Sequence, residues 1–410
     1  MKTTSPTSWS TRRTRLARLA LALCLPLLCA ACIAGAPARS ALAGPAAQAE
    51  PAGVPLLAYY YIWFDPRSWD RAKTDLPQLG AYSSDDRQVM QQHIQWAKQA
   101  GITGFVVSWK STEQLNRRLK QLIEVANHEQ FKLLIIYQGL DFERNPLPPA
   151  RIAADLDYFT QTFAADPVFD LFERPVVIWS GTWKFTPEQI ADVTATRRQK
   201  LLILASERSE DAYQRIAGLV DGDAYYWSSV NPETFPNYAG KLAAMAAAVH
   251  AGHGLWIAPA AVGFDARLIG GTQVVERKDG ETLRRQLNAA QQSSPDAVGL
   301  ISWNEFSENS YIEPSRAYGR RYLDVLASMQ YTGVVAPAAD LDSSMPGDVT
   351  LHTQALAPLA ILAGLIVVSS IIMIWRSLSG ARHGAQARLT DPDGAIYDYT
   401  DEHEAELRAP

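Results

Sequence analysis

The chain has 410 residues, of which 47% are hydrophobic and 20% are charged, and its formal net charge is −5. The size suits one large globular domain or two small ones, and the mild acidity argues against nucleic acid as a partner, because phosphate binding needs a basic surface. The three cysteines all lie between residues 24 and 32, which excludes disulfides, thiolate nucleophiles and cysteine metal sites from the rest of the chain.

The first 43 residues have the three parts of an export signal. Arginines at positions 12, 13, 15 and 18 precede an apolar run from Leu19 to Ile33, and Ala41-Leu42-Ala43 is a small-residue cleavage site. We therefore predict a signal peptide over residues 1–43, followed by a linker over residues 44–54. Lipidation of Cys32, and retention of the segment as an uncleaved anchor, are the alternatives.

From residue 55 to residue 332, short apolar runs alternate with helical patterns. The predicted strands, in chain order, are 56–63, 103–109, 131–137, 175–179, 201–205, 224–227, 255–258 and 298–303. The predicted helices between and after them are 85–99, 113–128, 151–164, one opening at Thr186-Pro187-Glu188, and then 213–219, 238–250, 283–291 and 320–329.

This alternation predicts the fold class. The apolar runs are continuous, which is typical of a parallel sheet covered on both faces. Eight strand–helix units then predict an α/β protein with a (β/α)8 TIM barrel. A doubly wound open sheet is the alternative, but it normally has a glycine-rich phosphate turn after its first strand. Residues 59–66 occupy that place here and contain no glycine.

A second apolar stretch follows the barrel. Residues 355–375 contain no charged residue and can span a bilayer, at ~1.5 Å per residue across ~30 Å. Arg376, Arg382 and Arg388 follow it, whereas the preceding linker, residues 333–354, is acidic. The positive-inside rule then predicts a single-pass membrane protein with a disordered cytoplasmic tail over 376–410 and a periplasmic or extracellular barrel. A buried core helix is the alternative.

Aromatic and polar side chains follow the predicted strands, at the end where barrel enzymes bind their substrates. Aromatic rings stack on sugar rings, although they also fill cores. The candidate substrate-binding residues are Tyr60, Trp63, Trp109, Tyr137, Tyr226, Trp227, Asp265, Trp303 and Asn304.

Glu305 and Glu308 are the candidate catalytic residues. They follow the last predicted strand and stand three residues apart. If the chain turns helically after Asn304, the two side chains face one way, with Cβ atoms roughly 5–6 Å apart. Repulsion between them would keep one protonated while the other stays ionised, which supplies an acid and a base. Alternatively, either glutamate caps a helix or pairs with Arg316.

Several of these segments together resemble glycoside hydrolase family 99. The matching segments are Tyr59-Tyr60-Tyr61-Ile62-Trp63, Leu76 to Asp85 with His93 in the next helix, Ala100 to Trp109, Gly263-Phe264-Asp265-Ala266-Arg267, and Ser302-Trp303-Asn304-Glu305-Phe306-Ser307-Glu308 with Ile312-Glu313-Pro314. The resemblance extends from about residue 55 to residue 330.

The resemblance implies a retaining endo-α-mannosidase or mannanase that needs no metal or other cofactor. It implies that Glu305 acts as base on the substrate's own 2-hydroxyl and that Glu308 is the general acid and then the general base. The chain departs from the family pattern at three places. Strand three ends in Tyr137-Gln138-Gly139 rather than glutamate-proline-tyrosine, Phe306 and Ser307 replace tryptophan and histidine, and Asn309 replaces glycine.

The function predicted from the sequence is therefore a membrane-anchored hydrolase of α-linked polysaccharides or oligosaccharides. An α-1,3-glucanase-like hydrolase on the same barrel is one alternative. A non-catalytic polysaccharide-binding protein of an envelope glycan system is the other.

Overall fold

A computed structural model describes residues 53–70, 73–141 and 143–329 of the chain. The predicted signal peptide, membrane helix and cytoplasmic tail lie outside these residues and stay predictions. Within the described ranges, no helix is long and apolar enough to cross a membrane.

Eight parallel strands form one sheet, as the sequence predicts. They are β1 (Leu56–Tyr61), β2 (Gly104–Trp109), β3 (Lys132–Gln138), β4 (Val176–Ser180), β5 (Leu202–Leu204), β6 (Gly222–Ala224), β7 (Leu255–Ala261) and β8 (Ala297–Ile301). Hydrogen bonding runs in the order β5-β4-β3-β2-β1-β8-β7-β6. The two outer strands of this order meet at Ala205, whose N–H donates to Gly222 O and whose carbonyl accepts from Ala224 N–H, both at 2.9 Å. The sheet is thus a nearly closed TIM-like barrel.

Each strand is followed by helical structure that covers the outside of the barrel. The helices are α1 (Arg87–Gln99), α2 (Glu113–Glu129), α3 (Pro149–Thr162), α4 (Pro187–Thr194), α5 (Glu210–Gln214), α6 (Tyr238–Ala251), α7 (Glu281–Gln292) and α8 (Arg321–Ser328). Their starts follow from local chemistry. The Asp86 side chain caps α1 by accepting from Gln88 N–H, and Thr186 and Gln189 form a reciprocal capping box at α4.

Strand side chains alternate between two hydrophobic layers. In β1, Leu57 and Tyr59 point into the barrel, while Leu56, Ala58 and Tyr60 pack against the helices. Each helix packs one largely apolar face against the strands. In α1 the buried face consists of Met90, His93, Ile94 and Ala97. This alternation decides which strand residues can reach the barrel mouth.

Two predicted boundaries are corrected by the structure. The sixth strand is Gly222–Ala224 rather than residues 224–227, because the buried Asp223 carboxylate accepts the Glu207 N–H at 2.7 Å and replaces a strand partner there. The helix predicted over 213–219 is instead α5 followed by a 3₁₀ turn, Ala217–Leu219.

Candidate active site

The segment after β8, residues 302–313, holds both candidate catalytic glutamates; we call it the glutamate loop. Its two ends are joined by backbone hydrogen bonds. Ser302 N–H donates to Ser310 O at 2.6 Å, Ile312 N–H to Ser302 O at 2.9 Å, and Glu313 N–H to Trp303 O at 2.8 Å. The loop is therefore closed on itself at the mouth of the barrel.

The glutamate loop does not form the helical turn that the sequence suggested. Residues 306–309 form a turn outside any α-helix, and Asn309 adopts a left-handed backbone with φ of 50°. Asparagine tolerates this conformation better than most residues. It can therefore stand where the resembled family has glycine without a large backbone strain. Glu305 and Glu308 still interact, as their electrostatics show below.

Phe306, between the two glutamates, anchors the loop. It is fully buried, it stacks on Tyr311 at 3.9 Å between ring centroids, and its edge meets Trp69 at 5.5 Å. Tyr61, Phe64 and Tyr82 complete this aromatic cluster. Burying the phenyl ring here fixes the backbone on both sides of it, and with it the two glutamates.

Asn304 joins the loop to the end of β1. Its Oδ1 accepts the Tyr61 N–H at 2.8 Å, and its Nδ2 donates to the Tyr61 carbonyl at 2.9 Å and to the Tyr82 hydroxyl at 3.3 Å. The amide side chain thus makes the two hydrogen bonds to Tyr61 that the backbone of a neighbouring strand would otherwise make, just before Glu305. Predicted as a substrate contact, Asn304 is fully buried and has this clamping role in the structure.

The two glutamates are buried and their pKa values are raised. Glu305 is 3% exposed and Glu308 is 1% exposed. Burial raises the pKa of Glu305 to about 7, opposed by hydrogen bonding to Ser307 and by the charge of Lys73. Burial and the neighbouring Glu305 charge raise the pKa of Glu308 well above its ordinary value, opposed by Arg144 and by the Ser228 hydroxyl beside it.

Hydrogen bonding separates the two carboxyl groups further. Glu305 Oε1 accepts the Ser307 N–H at 3.0 Å, which favours its ionised form. Neither oxygen of Glu308 has a well-formed hydrogen bond among the described residues, which favours its neutral form. The site therefore contains a carboxylate that ionises near neutrality and a neighbour that keeps its proton to higher pH.

Arg277 supports the far side of the glutamate loop. Its guanidinium donates to the Tyr311 and Asn309 carbonyls, both at 2.8 Å. It also packs over the rings of Tyr311, Tyr318 and Tyr322, 4.4–4.7 Å from the centroids. This cation is buried with two carbonyl acceptors and three aromatic faces, so it fixes the backbone that follows Glu308.

Two of the predicted substrate-binding aromatics remain accessible at the mouth. Trp63 and Tyr226 are half-buried. Trp63 stacks on Tyr61 at 4.3 Å, and the Tyr226 hydroxyl lies 2.8 Å from the Tyr61 hydroxyl. Both border the aromatic cluster that contains Phe306, so they lie where a ring stacked on them would reach the loop.

The other predicted aromatics fill the layer between barrel and helices. These are Tyr60, Trp109, Tyr137, Trp227 and Trp303, all buried. Trp109 Nε1 donates to Asn116 Oδ1 at 2.9 Å and the Tyr137 hydroxyl to Asp155 at 3.0 Å, so their polar ends point to α2 and α3. The five side chains have a packing role here, and a contact with substrate stays a prediction for them.

Asp265 is buried beside the loop. Its carboxylate takes two hydrogen bonds from the Arg267 guanidinium, at 2.9 and 2.6 Å, and these lower the pKa of Asp265. It is an ionised, paired carboxylate rather than a proton donor, and its substrate contact stays a prediction.

Sequence reasoning missed several residues of this site. Arg277, Trp69, Ser228, Lys73 and Arg144 were not among the candidates, and no local pattern distinguishes a loop arginine or serine that reaches the site. Tyr82 and Glu313 did lie in the segments that carry the family resemblance, whereas Tyr311 lies between two of them. Within the described ranges, no group of three or more His, Cys, Asp or Glu side chains is placed to hold a metal ion.

Comparison with known proteins gives a consistent result. Residues 64–332 match the family model described as glycosyl hydrolase family 99. The endo-α-mannosidase of that family from Bacteroides thetaiotaomicron is similar in fold, with 19% identity, a TM-score of 0.59, and coverage of 67% of this chain and 95% of that one. Its complex with Bis-Tris propane gives 20% identity and a TM-score of 0.61, covering 68% and 96%.

A third solved structure, described as a glycoside hydrolase-like protein, gives 16% identity and a TM-score of 0.54, covering 70% of this chain and 96% of that one. A comparison with curated proteins finds no match.

Proposed function

Because the chain belongs to glycosyl hydrolase family 99, we propose that this glycoside hydrolase cleaves α-linked, α-mannan-like glycans with retention of anomeric configuration. The observation that carries the proposal is the pair of buried glutamates in one closed loop at the barrel mouth, with unequal environments. The α-mannan assignment is supported by the fold shared with the Bacteroides endo-α-mannosidase.

The first step of the proposed reaction uses both glutamates. Glu305, ionised, takes the proton from the 2-hydroxyl of the sugar. That oxygen attacks C1 as the bond from C1 to the leaving oxygen breaks, and Glu308 gives its proton to the leaving oxygen. The product of this step is a sugar with a three-membered ring across C1 and C2, so no covalent bond to the enzyme forms.

The second step reverses the proton movements. Glu308, now ionised, takes a proton from a water molecule that attacks C1. The bond from C1 to the 2-oxygen breaks, and Glu305 returns the proton to that oxygen. Two inversions at C1 give net retention. The higher pKa of Glu308 suits the acid of the first step, and the pKa of about 7 for Glu305 suits the base.

Trp63 and Tyr226 are the proposed sugar-stacking residues. Both are half-buried aromatic side chains next to the glutamate loop, and aromatic faces bind the apolar faces of sugar rings. The proposed substrate is an oligosaccharide or polysaccharide, and the fold shared with an endo-α-mannosidase supports this.

We also propose that the barrel faces the periplasm or the exterior, held to the cell membrane by residues 355–375. Support comes from the amino-terminal export pattern and from the arginines that follow the second apolar stretch. Protease digestion of intact cells or spheroplasts tests this: the barrel should be digested from outside and an epitope on residues 376–410 should be protected.

Hydrolysis of a panel of α-mannans, α-glucans and envelope polysaccharides by the full chain tests the function, with Glu308→Gln as the control. Cleavage of an α-mannan by the wild type and not by the variant is expected. Cleavage of an α-1,3-glucan instead would show that the protein is a glycoside hydrolase but that its substrate is a glucan rather than a mannan. Binding of one polymer by both proteins without any cleavage would support the non-catalytic sugar-binding alternative.

A further inference from the structure

A chain of buried polar side chains runs from the glutamate loop to helix α1. Glu313 Oε2 accepts the Tyr82 hydroxyl at 2.9 Å, and Glu313 Oε1 lies 3.0 Å from His93 Nε2. The Tyr82 oxygen in turn accepts Asn304 Nδ2 at 3.3 Å. All four side chains are buried. We call Asn304, Tyr82, Glu313 and His93 the polar relay.

The proton positions in the polar relay follow from its geometry. A Glu313 carboxylate with two acceptor oxygens requires a donor from each neighbour, so Tyr82 donates its O–H and His93 carries its proton on Nε2. His93 Nδ1 lies 3.1 Å from the Tyr60 hydroxyl, within hydrogen-bond distance. The burial of Tyr82 and the adjacent Glu313 charge raise the pKa of Tyr82 well above its ordinary value, which keeps its proton in place.

We propose that the polar relay is a positioning device that holds Glu305 in its catalytic orientation; this inference rests on the proposed function of the same site. Asn304 precedes Glu305 directly, and Glu313 closes the other end of the glutamate loop through its N–H bond to Trp303 O. The relay therefore fixes both ends of the segment that carries the two catalytic glutamates.

A purely structural role would not need this chemistry. Burying a carboxylate in a sheet–helix layer costs free energy that apolar side chains of equal volume would avoid. The polar side chains add a fixed orientation, because each hydrogen bond favours one rotamer and a fully satisfied network has one arrangement. A base misplaced by about 1 Å can cost about 100-fold in rate. Because Asn304 directly precedes Glu305, fixing the orientation of Asn304 helps to fix the position of the Glu305 carboxylate.

Tyr82→Phe is the test, with Tyr238→Phe as the matched control. Both substitutions delete one buried hydroxyl that donates to a side-chain acceptor, a carboxylate for Tyr82 and an amide for Tyr238. Tyr238 lies on α6 and donates to Gln286 Oε1 at 2.9 Å. For Tyr82→Phe we expect kcat to fall about 10- to 100-fold with KM changed by less than about threefold. For Tyr238→Phe we expect kcat within about twofold of the wild type, even if its melting temperature falls as far as that of Tyr82→Phe.

A second pair of variants tests the histidine. A glutamine at position 93 can place its amide N–H near the Nε2 position and donate to Glu313, whereas leucine cannot. His93→Gln should therefore retain at least about tenfold more kcat than His93→Leu. If His93→Leu does not fold, Tyr82→Phe still decides the question.

Amide hydrogen exchange separates this inference from the proposed function. Tyr82→Phe should speed exchange in residues 305–311, and Tyr238→Phe should leave that segment unchanged. If the wild type cleaves no glycan, the proposed function fails, and the exchange result alone decides whether the relay orders the loop. Unchanged exchange, or equal losses of kcat in Tyr82→Phe and Tyr238→Phe, would overturn the inference.

Discussion

The Asp265 amide donates a 2.8 Å hydrogen bond to the Glu308 carbonyl, which ties the segment after β7 to the main chain of the proposed acid. Arg277, further along the same segment, donates to the carbonyls of Asn309 and Tyr311. The backbone around Glu308 is thus held by the preceding barrel unit, while Glu305 is held from β1 through Asn304. Each proposed catalytic residue has its own support.

Removing either carboxyl group should abolish catalysis without unfolding the barrel. Glu305→Gln and Glu308→Gln keep the size and burial of the side chain but cannot exchange the required proton, so turnover should fall by at least about 10²–10⁴-fold. Glu207→Gln is the matched control, because Glu207 is also fully buried with a pKa raised by burial, but it pairs with Arg215 at the C-terminal end of α5. Its turnover should stay within about threefold of the wild type; wild-type rates in either loop variant would contradict the assignment.

The pH dependence of kcat/KM should be bell-shaped, and each limb should respond to a different cation. Activity rises with pH as Glu305 ionises near its pKa of about 7 and falls as Glu308 loses its proton at higher pH. Lys73 lowers the pKa of Glu305, so Lys73→Met should move the acidic limb to higher pH by about half a unit or more. Arg144 lowers the pKa of Glu308, so Arg144→Met should move the alkaline limb upward and leave the acidic one in place. Movement of the opposite limb in either variant would reverse the roles of the two glutamates.

Glutamine substitution at Glu305 should stabilise the protein at alkaline pH. The folded pKa is raised, to about 7 from 4.5, so the stability this group contributes is fully present below the unfolded pKa and is lost as pH rises through the folded one. The difference corresponds to about 3 kcal/mol. Glu305→Gln should therefore melt at nearly the wild-type temperature at pH 4 and several degrees higher at pH 8. Thermal melts at both values check the sign, and a lower melting temperature at pH 8 would contradict it.

Arg277→Met should destabilise the glutamate loop. It leaves the buried Tyr311 carbonyl and the half-buried Asn309 carbonyl without their donor, at a cost of up to about 3 kcal/mol for the buried one, and removes a cation from three aromatic faces. Urea unfolding should show the loss, and kcat should fall more than KM rises because Asn309 follows Glu308. Arg285→Met is the control: that arginine pairs with Glu281 and Glu233 at the surface, and such pairs contribute about 0–1 kcal/mol.

Much of the fold was predictable because the apolar runs are continuous and regularly spaced. A strand buried on both faces consists almost entirely of apolar residues, so every strand except β6 is found close to its predicted position. The exception, β6, has only three residues, and Asp223 supplies a side-chain bond where backbone pairing would be expected. No hydrophobic pattern can reveal a strand stabilised in that way.

The aromatic candidates show where sequence reasoning stopped short. Neighbouring strand residues point to opposite faces, so Trp109 and Tyr137, which share the parity of outward Phe105 and Ile135, pack against helices. Ser108 and Gln138 then have the inward parity, and they are hydrogen-bonded to each other at 3.0 Å. Alternation within each strand was available in the sequence and would have favoured Tyr226 over Trp227.

Glu305 and Glu308 were proposed as the catalytic pair from spacing and resemblance, whereas the environment that the structure gives them was not predicted. Burial of Glu308, the Phe306 anchor and the Arg277 contacts depend on segments far apart in the chain. Their meeting is a property of the closed barrel, which brings the loops after β1, β7 and β8 together.

The proposed reaction is retaining hydrolysis of an α-linked glycan by Glu305 and Glu308. Time-resolved ¹H NMR of the first turnovers of an α-mannan oligosaccharide by the full chain tests it most directly, with Glu308→Gln alongside. The α-anomer of the new reducing end should appear first and the β-anomer later by mutarotation, with no product from the variant. Initial release of the β-anomer, or equal product from both proteins, would contradict it.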